Sequence, residues 1–520
     1  MKLGAVGKEM MTLLIGFLLR FVQSLLAASP FILAGLAIAG VFRVLLGRKD
    51  TARLFGGKTR RSLLQAWAIG MLLPVCSLGV IPVIRELRRS SLNGGTILAF
   101  AMAAPLFNPL SLLYGLTLSE PLAILAFAFC SLIVVTGVGL VWDRLFPATA
   151  IPEDEPERVP PGLKRMLAVG LAGARQAGGA SAVYILIGLI GVASLSFVLS
   201  PTALQRAVNG DNPIAPLTMM GVAIPVYATP MLAMSQLGMM FQHANSPGAA
   251  FVLLALGAGM NLGLVAWMFR QYGWKRSLGW FSLLLVVVLG LAYGVDRPLF
   301  PKAVDVADHT HAFDIYCRPF PLNTSDAASK VIEKLRRDVP VYELYAASAL
   351  MITVFVGVGV NLFDRENRIE AWLRTRPEAY DRGRLDVNVP APVLGGVALV
   401  LLVAISVAGC YAYYPSPEEV VEEMKIAKVE TLSAANVGDV VQAEYWINVY
   451  DGWTRKLEVG TFLRDWKLSE YHRTKARILR EQLEFLEHDL ENEQTEEIRH
   501  VTAKISRTHR RLAHAYLYER

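Results

Sequence analysis

Long apolar runs alternate with short charged loops along most of the chain, and the spacing predicts membrane helices. Residues 10–46 are apolar for longer than one crossing needs, with Arg20 and Ser29-Pro30 inside. Two readings stay open there: an interfacial helix at 10–27 before a crossing at 28–46, or two crossings. A charge at the bilayer centre is costly, so Arg20 leans toward the interfacial reading. Further crossings are expected at 94–116, 121–142, 181–200, 247–268, 278–295, 343–363 and 389–413.

Two stretches break this rhythm. The first runs Gly70-Met71-Leu72-Leu73-Pro74-Val75-Cys76-Ser77-Leu78-Gly79-Val80-Ile81-Pro82, and the second runs Gly221-Val222-Ala223-Ile224-Pro225-Val226-Tyr227-Ala228-Thr229-Pro230. Each proline removes a backbone donor and clashes with the preceding turn, so a straight helix is excluded. Each stretch is followed by an apolar segment opening on Gly and carrying one Asn: Gly95 and Asn108, then Gly248 and Asn261, 13 positions apart in both. Interrupted apolar segments at matching places in two halves point to a transporter's midplane site. Both breaks read as re-entrant hairpins. Arg85, Arg88 and Arg89 follow the first, whereas 234–244 after the second lacks Lys and Arg. By the positive-inside bias the two units are oppositely oriented, an inverted repeat.

The fold class expected is therefore all-α: a polytopic transmembrane protein with an inverted repeat of broken helical hairpins. Its parts are a first repeat at 1–142, a cytoplasmic linker and amphipathic helix at 143–180, and the inverted repeat at 181–295. An extracytoplasmic loop at 296–342 and two added helices at 343–413 follow. The tail 414–520 starts after Tyr414-Pro415-Ser416-Pro417 and is placed outside by parity. From Leu479 its apolar positions are Leu483, Leu486, Leu490, Ile498, Val501, Ile505 and Leu512, a coiled-coil-like spacing with a break near 491–497. A helical hairpin and a self-associating helix, hence a homo-oligomer, both fit. The tail's His472, His488, His500, His509 and His514 read as solvated.

Composition agrees. The chain is 54% hydrophobic over 520 residues, and its net charge of +7 follows from basic loops beside apolar runs, with no nucleic acid needed. Cys76, Cys130, Cys317 and Cys410 lie far apart, so no disulfide framework is indicated. No nucleotide-binding loop, hydrolase triad or metalloprotease signature stands out, so the chain is read as a non-enzyme without cofactors whose partners are the bilayer and a small solute. Glu86 and Glu120 sit at segment ends, and no intramembrane carboxylate presents itself for proton coupling.

The candidate pathway is Pro74, Cys76, Ser77, Gly79 and Asn108 from one half, with Pro225, Tyr227, Thr229 and Asn261 from the other. Unwound backbone at membrane depth is tolerated only beside protein or a water-filled cavity, and it offers free polar groups to a solute. The Asn pair reads equally as ligands or hairpin caps and as interhelical glue. His309-x-His311 with Cys317 forms a possible soft-metal set in the outer loop, against a plain polar loop as the simpler reading. A membrane-anchored metal sensor or scaffold, working through that loop and the tail, is the competing function.

Pro74-Val75-Cys76-Ser77-x-Gly79-Val80-Ile81-Pro82, Leu87-Arg88-Arg89, Leu98-Ala99-Phe100, Ala104-Pro105-x-x-Asn108-Pro109, Pro225 and Ser246-Pro247-Gly248-Ala249-Ala250 through Asn261 resemble the ArsP-type (YraQ-like) predicted permeases. The resemblance covers about 10–295. It implies a bacterial inner-membrane permease that exports a soft metalloid such as a trivalent organoarsenical. That family commonly reads Cys-Ser-Cys-Gly in the first turn, where this chain has Leu78 in place of the second Cys.

Overall fold

The computed structural model describes residues 2–519, except 58, 60, 119–120, 147–158, 161, 201–202, 205, 302–311, 323–326, 376–388 and 492–494. The acidic linker around Ile151-Pro152-Glu153, and both His309 and His311, lie outside the described residues. Among those described, every regular element is helical, and the chain forms two compact units: 1–112 with 119–404, and 113–118 with 405–520.

The first unit opens on α1 (Lys2–Val41), one continuous helix that ends in a π-turn at Phe42–Leu46 and passes into α2 (Gly47–Leu54). Both sequence readings of 10–46 are corrected: neither a separate interfacial helix nor a second crossing forms. At 1.5 Å per residue α1 is roughly 60 Å long, twice the ~30 Å hydrocarbon thickness, so part of it stands beyond the core. Arg20 stays in the helix because backbone carbonyls meet its charge. Its guanidinium donates to Asp314 O at 2.5 Å and to Cys317 O at 3.0 Å. Pro30 is accommodated one turn after Ser29 Oγ donates to Leu25 O at 2.6 Å.

The first hairpin is α3 (Arg61–Leu72) and α4 (Val80–Arg89), and α5 (Gly94–Leu106) and α6 (Pro109–Leu118) follow as one segment bent by 52°. α7 (Pro121–Leu145) returns, and α8 (Leu163–Ala177) leads into α9 (Ala180–Val198). The second hairpin is α10 (Ala215–Ala223) and α11 (Pro230–Gln242). α12 (Pro247–Val252), its π-helical continuation to Ala258, and α13 (Leu262–Tyr272) form the second bent segment, at 60°. α14 (Trp274–Asp296), α15 (Ala327–Asp338), α16 (Val341–Phe363), α17 (Arg368–Arg374) and α18 (Ala391–Tyr413) complete this part. Arms of 9 to 13 residues reach about 14–20 Å, too short to span, so both hairpins turn back within the bilayer. Among the described residues six helices are long and apolar enough to cross, or up to eight if each bent pair is one span. The protein is thus a multi-pass, all-helical membrane protein.

The connecting segments of this unit sort into two groups. At one end Arg43 meets Glu370, Arg175 meets Asp364, and the Arg88 guanidinium lies 4.9 Å over the Tyr272 ring. At the other, Ser246 N donates to Val208 O and Arg318 N to Leu199 O, both at 3.0 Å. Arg43, Arg88 and Arg175 thus share the first end, the basic end. Arg85 and Glu86, read as leaving the membrane, are instead tied into the interior. Arg85 donates to Gln176 Oε1 and Ser181 Oγ, both at 2.6 Å, and Glu86 accepts from Gln176 Nε2 and from Arg89 at 2.9 Å.

The second unit is α19 (Pro417–Val437), α20 (Val440–Asp465), α21 (Glu470–Glu491) and α22 (Thr495–Tyr518), with residues 113–118 packed among them. Ser416 and Asp439 cap α19 and α20 by accepting from Glu419 N and Gln442 N. Leu479, Leu483, Leu486 and Leu490 of α21 and Ile498, Ile505 and Leu512 of α22 share one core with Val420, Met424 and Tyr450. The tail thus folds back on itself as a hairpin inside a four-helix unit. Two of its histidines are not solvated. His472 Nε2 lies 3.1 Å from Ala515 O, and His509 Nδ1 lies 2.6 Å from Tyr450 Oη.

Burial, with Lys428 and Lys425 nearby, pushes the His509 imidazole down to about 4. An unfolded histidine titrates near 6.5, so between these values the unfolded chain takes up a proton that the folded one refuses. This contribution is therefore present above pH 6.5 and is lost as pH falls toward 4, by up to roughly 3 kcal/mol. Hydrogen–deuterium exchange of the tail helices in the full-length protein should show protection falling across that window. His509→Gln, which keeps an acceptor and removes the titration, should flatten the fall.

Candidate functional site

Each hairpin turn leaves several backbone groups without helical partners, and local side chains take them up. In turn 73–79, Val80 N donates to Cys76 O at 2.9 Å and Gly79 N to Cys76 Sγ at 3.3 Å. Gly79 lies against α1 so closely that a Cβ there would stand 2.3 Å from Phe31 O, and one on Gly35 would stand 1.9 Å from Gly79 O. Only glycines allow the turn to seat on α1 at this distance. In turn 224–229, Pro225 opens the break, and Thr229 Oγ1 accepts from Leu232 N at 3.2 Å to start α11.

Asn108 and Asn261 sit at the two helix bends. Asn108 Oδ1 accepts from Ser111 N at 2.7 Å and caps α6, while Asn261 Oδ1 accepts from Leu264 N at 2.9 Å and caps α13. Of the readings open from sequence, the geometry is that of a cap, each on its own broken helix. The amide oxygens and the Thr229 hydroxyl are thereby committed to backbone.

The two halves meet at these breaks. The Cys76 thiol and the Tyr227 hydroxyl face each other from opposite hairpin turns. Leu106, just before the first bend, reaches Gly259, just before the second: a Cβ on Gly259 would stand 3.0 Å from Leu106 Cδ2. A Cβ on Gly188 of α9 would touch both Leu78 Cδ2, at 2.5 Å, and Asn261 Oδ1, at 2.8 Å. Cys76, Ser77 and Asn261 are fully buried. Ser77 Oγ and Asn261 Nδ2 have no hydrogen-bond partner among the described residues, while the Tyr227 hydroxyl has the Cys76 thiol as its polar neighbour. Buried polar atoms are nearly always paired, so two unpaired atoms at one meeting point stand out. Pro74 and Pro225 are half-buried beside it and shape the breaks.

A second matched pair escaped the sequence reading. Asp143, near the end of α7, accepts from Gly95 N at 2.7 Å, where α5 begins. Asp296, at the end of α14, accepts from Gly248 N at 2.9 Å and from Ser246 Oγ at 2.5 Å, where α12 begins. Both pairs span 48 positions. Extending the register 48 positions from Gly95 and from Gly248 reaches an Asp in both halves.

The proposed metal set is not assembled by the described residues, among which no group of three metal-ligating side chains occurs. Cys317 is buried in the segment that receives Arg20, where Tyr316 Oη donates to Gln236 Oε1 and Gln236 Nε2 to Ala312 O. All four cysteines are free.

Replacing Asp296 by Ala strands the Gly248 N–H and the Ser246 hydroxyl in a buried place, a cost of about 2–3 kcal/mol. Asp143→Ala strands the buried Gly95 N–H, while the half-buried Asn93 amide that it also frees can turn to water, so it should cost about half as much. Thermal unfolding of the detergent-solubilised protein should rank the variants in that order below the parent.

Comparison with known proteins agrees with this geometry. The ArsP_1 family, described as predicted permease, matches residues 14–295, which hold both hairpins and both bent segments. UPF0718 protein YcgR of Bacillus subtilis (strain 168) is 30% identical over 92 residues, 18% of this chain. The match spans 31% of that relative. No solved structure matches. With more than half its length matched, this chain belongs to the ArsP_1 family of predicted permeases.

Proposed function

We propose that the chain is a bacterial inner-membrane permease that exports a small soft-metalloid solute, trivalent organoarsenicals being the leading class, by alternating access at the meeting of turns 73–79 and 224–229. The observation that carries this reading is the pair of unpartnered atoms Ser77 Oγ and Asn261 Nδ2, one from each half, beside the buried Cys76 thiol that faces the Tyr227 hydroxyl of the opposite turn. The basic end is taken as cytoplasmic. Hairpins entering from opposite faces and touching at their tips provide a site that either side can reach when one half rocks against the other.

The thiol suits a soft acceptor. A hydroxylated trivalent arsenical exchanges one As–O bond for one As–S bond on Cys76, the thiol proton leaving with the hydroxide as water. Ser77, Tyr227 and the Asn261 amide then hydrogen-bond the remaining oxygen. With Leu78 in place of a second cysteine, the solute is held by one sulfur and is released by the reverse exchange.

Everted membrane vesicles containing the full chain should accumulate methylarsenite. Cys76→Ser should lower the initial rate about tenfold or more, the scale of losing one ligand interaction. Tyr227→Phe should lower it less. Unchanged uptake by Cys76→Ser would remove the thiol as a ligand, and no uptake by the folded parent would exclude this solute class.

A further inference from the structure

A cavity of about 380 Å3 opens at the basic end, away from the hairpin turns, between the π-turn after α1, the base of α4, α8 and α17. Arg43, Arg48, Arg89 and Arg374 line it against Glu86 and Glu370, leaving two positive charges in excess. Both carboxylates are already engaged. Glu370 lies 3.4 Å from Arg43 and 3.1 Å from Arg175, with Arg374 at 3.9 Å, and Glu86 pairs with Arg89 and Gln176. Arg89 and Arg374 keep about half their side-chain surface exposed, at 47% and 39%.

The remainder of the wall is apolar, including Phe42, Leu45, Leu171 and Leu373. Leu171 stands one turn along α8 from Leu167, which with Leu163 and Met166 forms an exposed apolar strip. Strip and cavity therefore meet along one helix. A soluble anion would use the guanidiniums and leave the strip bare. A phospholipid uses both, with its phosphate among planar guanidiniums that bind it bidentately and its acyl chain along α8. The volume suits a headgroup rather than a whole lipid.

We propose that this cavity binds the phosphate headgroup of an anionic phospholipid from the cytoplasmic leaflet. Basic pockets between membrane helices on that side recognise such headgroups. α17, which supplies Arg374, lies beyond the residues shared with the family, so the complete site belongs to this chain's added segment. The site is independent of whatever solute crosses at the hairpins.

The test is native mass spectrometry of the delipidated full-length protein, titrated with phosphatidylglycerol or phosphatidylcholine of the same acyl chains. Phosphatidylglycerol should be retained about tenfold more tightly, and the double variant Arg43→Gln with Arg374→Gln should bring it to the phosphatidylcholine level. Arg276→Gln, a basic substitution outside the cavity, should keep the preference. Circular dichroism checks the fold, and Arg374→Gln alone, at the exposed edge, serves if the double variant unfolds. Equal binding of the two lipids, or a preference that survives loss of the arginines, overturns the proposal. Displacement of the lipid by an equal concentration of glycerol 3-phosphate overturns the lipid source and assigns the cavity to a soluble phosphate.

Discussion

The constraint on which this fold depends is that backbone polar groups at membrane depth must find partners inside the protein. The chain interrupts its helices at two turns and two bends, and side chains meet the cost at each. Cys76 Sγ accepts from Gly79 N, Thr229 Oγ1 from Leu232 N, Asn108 Oδ1 from Ser111 N and Asn261 Oδ1 from Leu264 N. What those caps leave over, the Ser77 hydroxyl and the Asn261 amide nitrogen, lies buried near the Cys76 thiol and the Tyr227 hydroxyl.

A matching tie recurs inside each half, at the start of each bent segment. Asp143 and Asp296 tie the ends of α7 and α14 to the starts of α5 and α12, so each bent segment is anchored where it enters and free to differ where it bends. The Gly35–Gly79 approach then presses the first turn onto α1. A carboxylate between helix ends, rather than one at mid-membrane, accounts for how acids serve this core without the desolvation penalty of the bilayer centre.

The added segments attach by the same physics. Arg20 is affordable inside a long apolar helix because segment 312–321 brings carbonyls to it, while Gly357 lets α16 approach α8 closely enough that a Cβ there would stand 1.8 Å from Ala174 O. In the tail, the leucine seam of α21 closes on α22, and Tyr450 and Ala515 give His509 and His472 partners within that packing.

The sequence by itself determined the straight crossings from 121 onward, the two proline-broken hairpins and the matched Asn pair, because apolar run length and proline chemistry are local properties that bilayer thickness reads directly. The family also was legible there, in the residues around both breaks. Tertiary structure alone decided that 10–46 is one helix, that Asn108 and Asn261 cap their own helices, and that His472, His509 and Glu86 are buried. The Asn caps have partners three residues away, but the other outcomes turn on partners far along the chain: Asp314 for Arg20, Gln176 for Glu86, Tyr450 for His509. A polar side chain shows its composition in sequence, but its cost in the membrane or the core is set by what packing brings within hydrogen-bond reach, and only the folded chain supplies that.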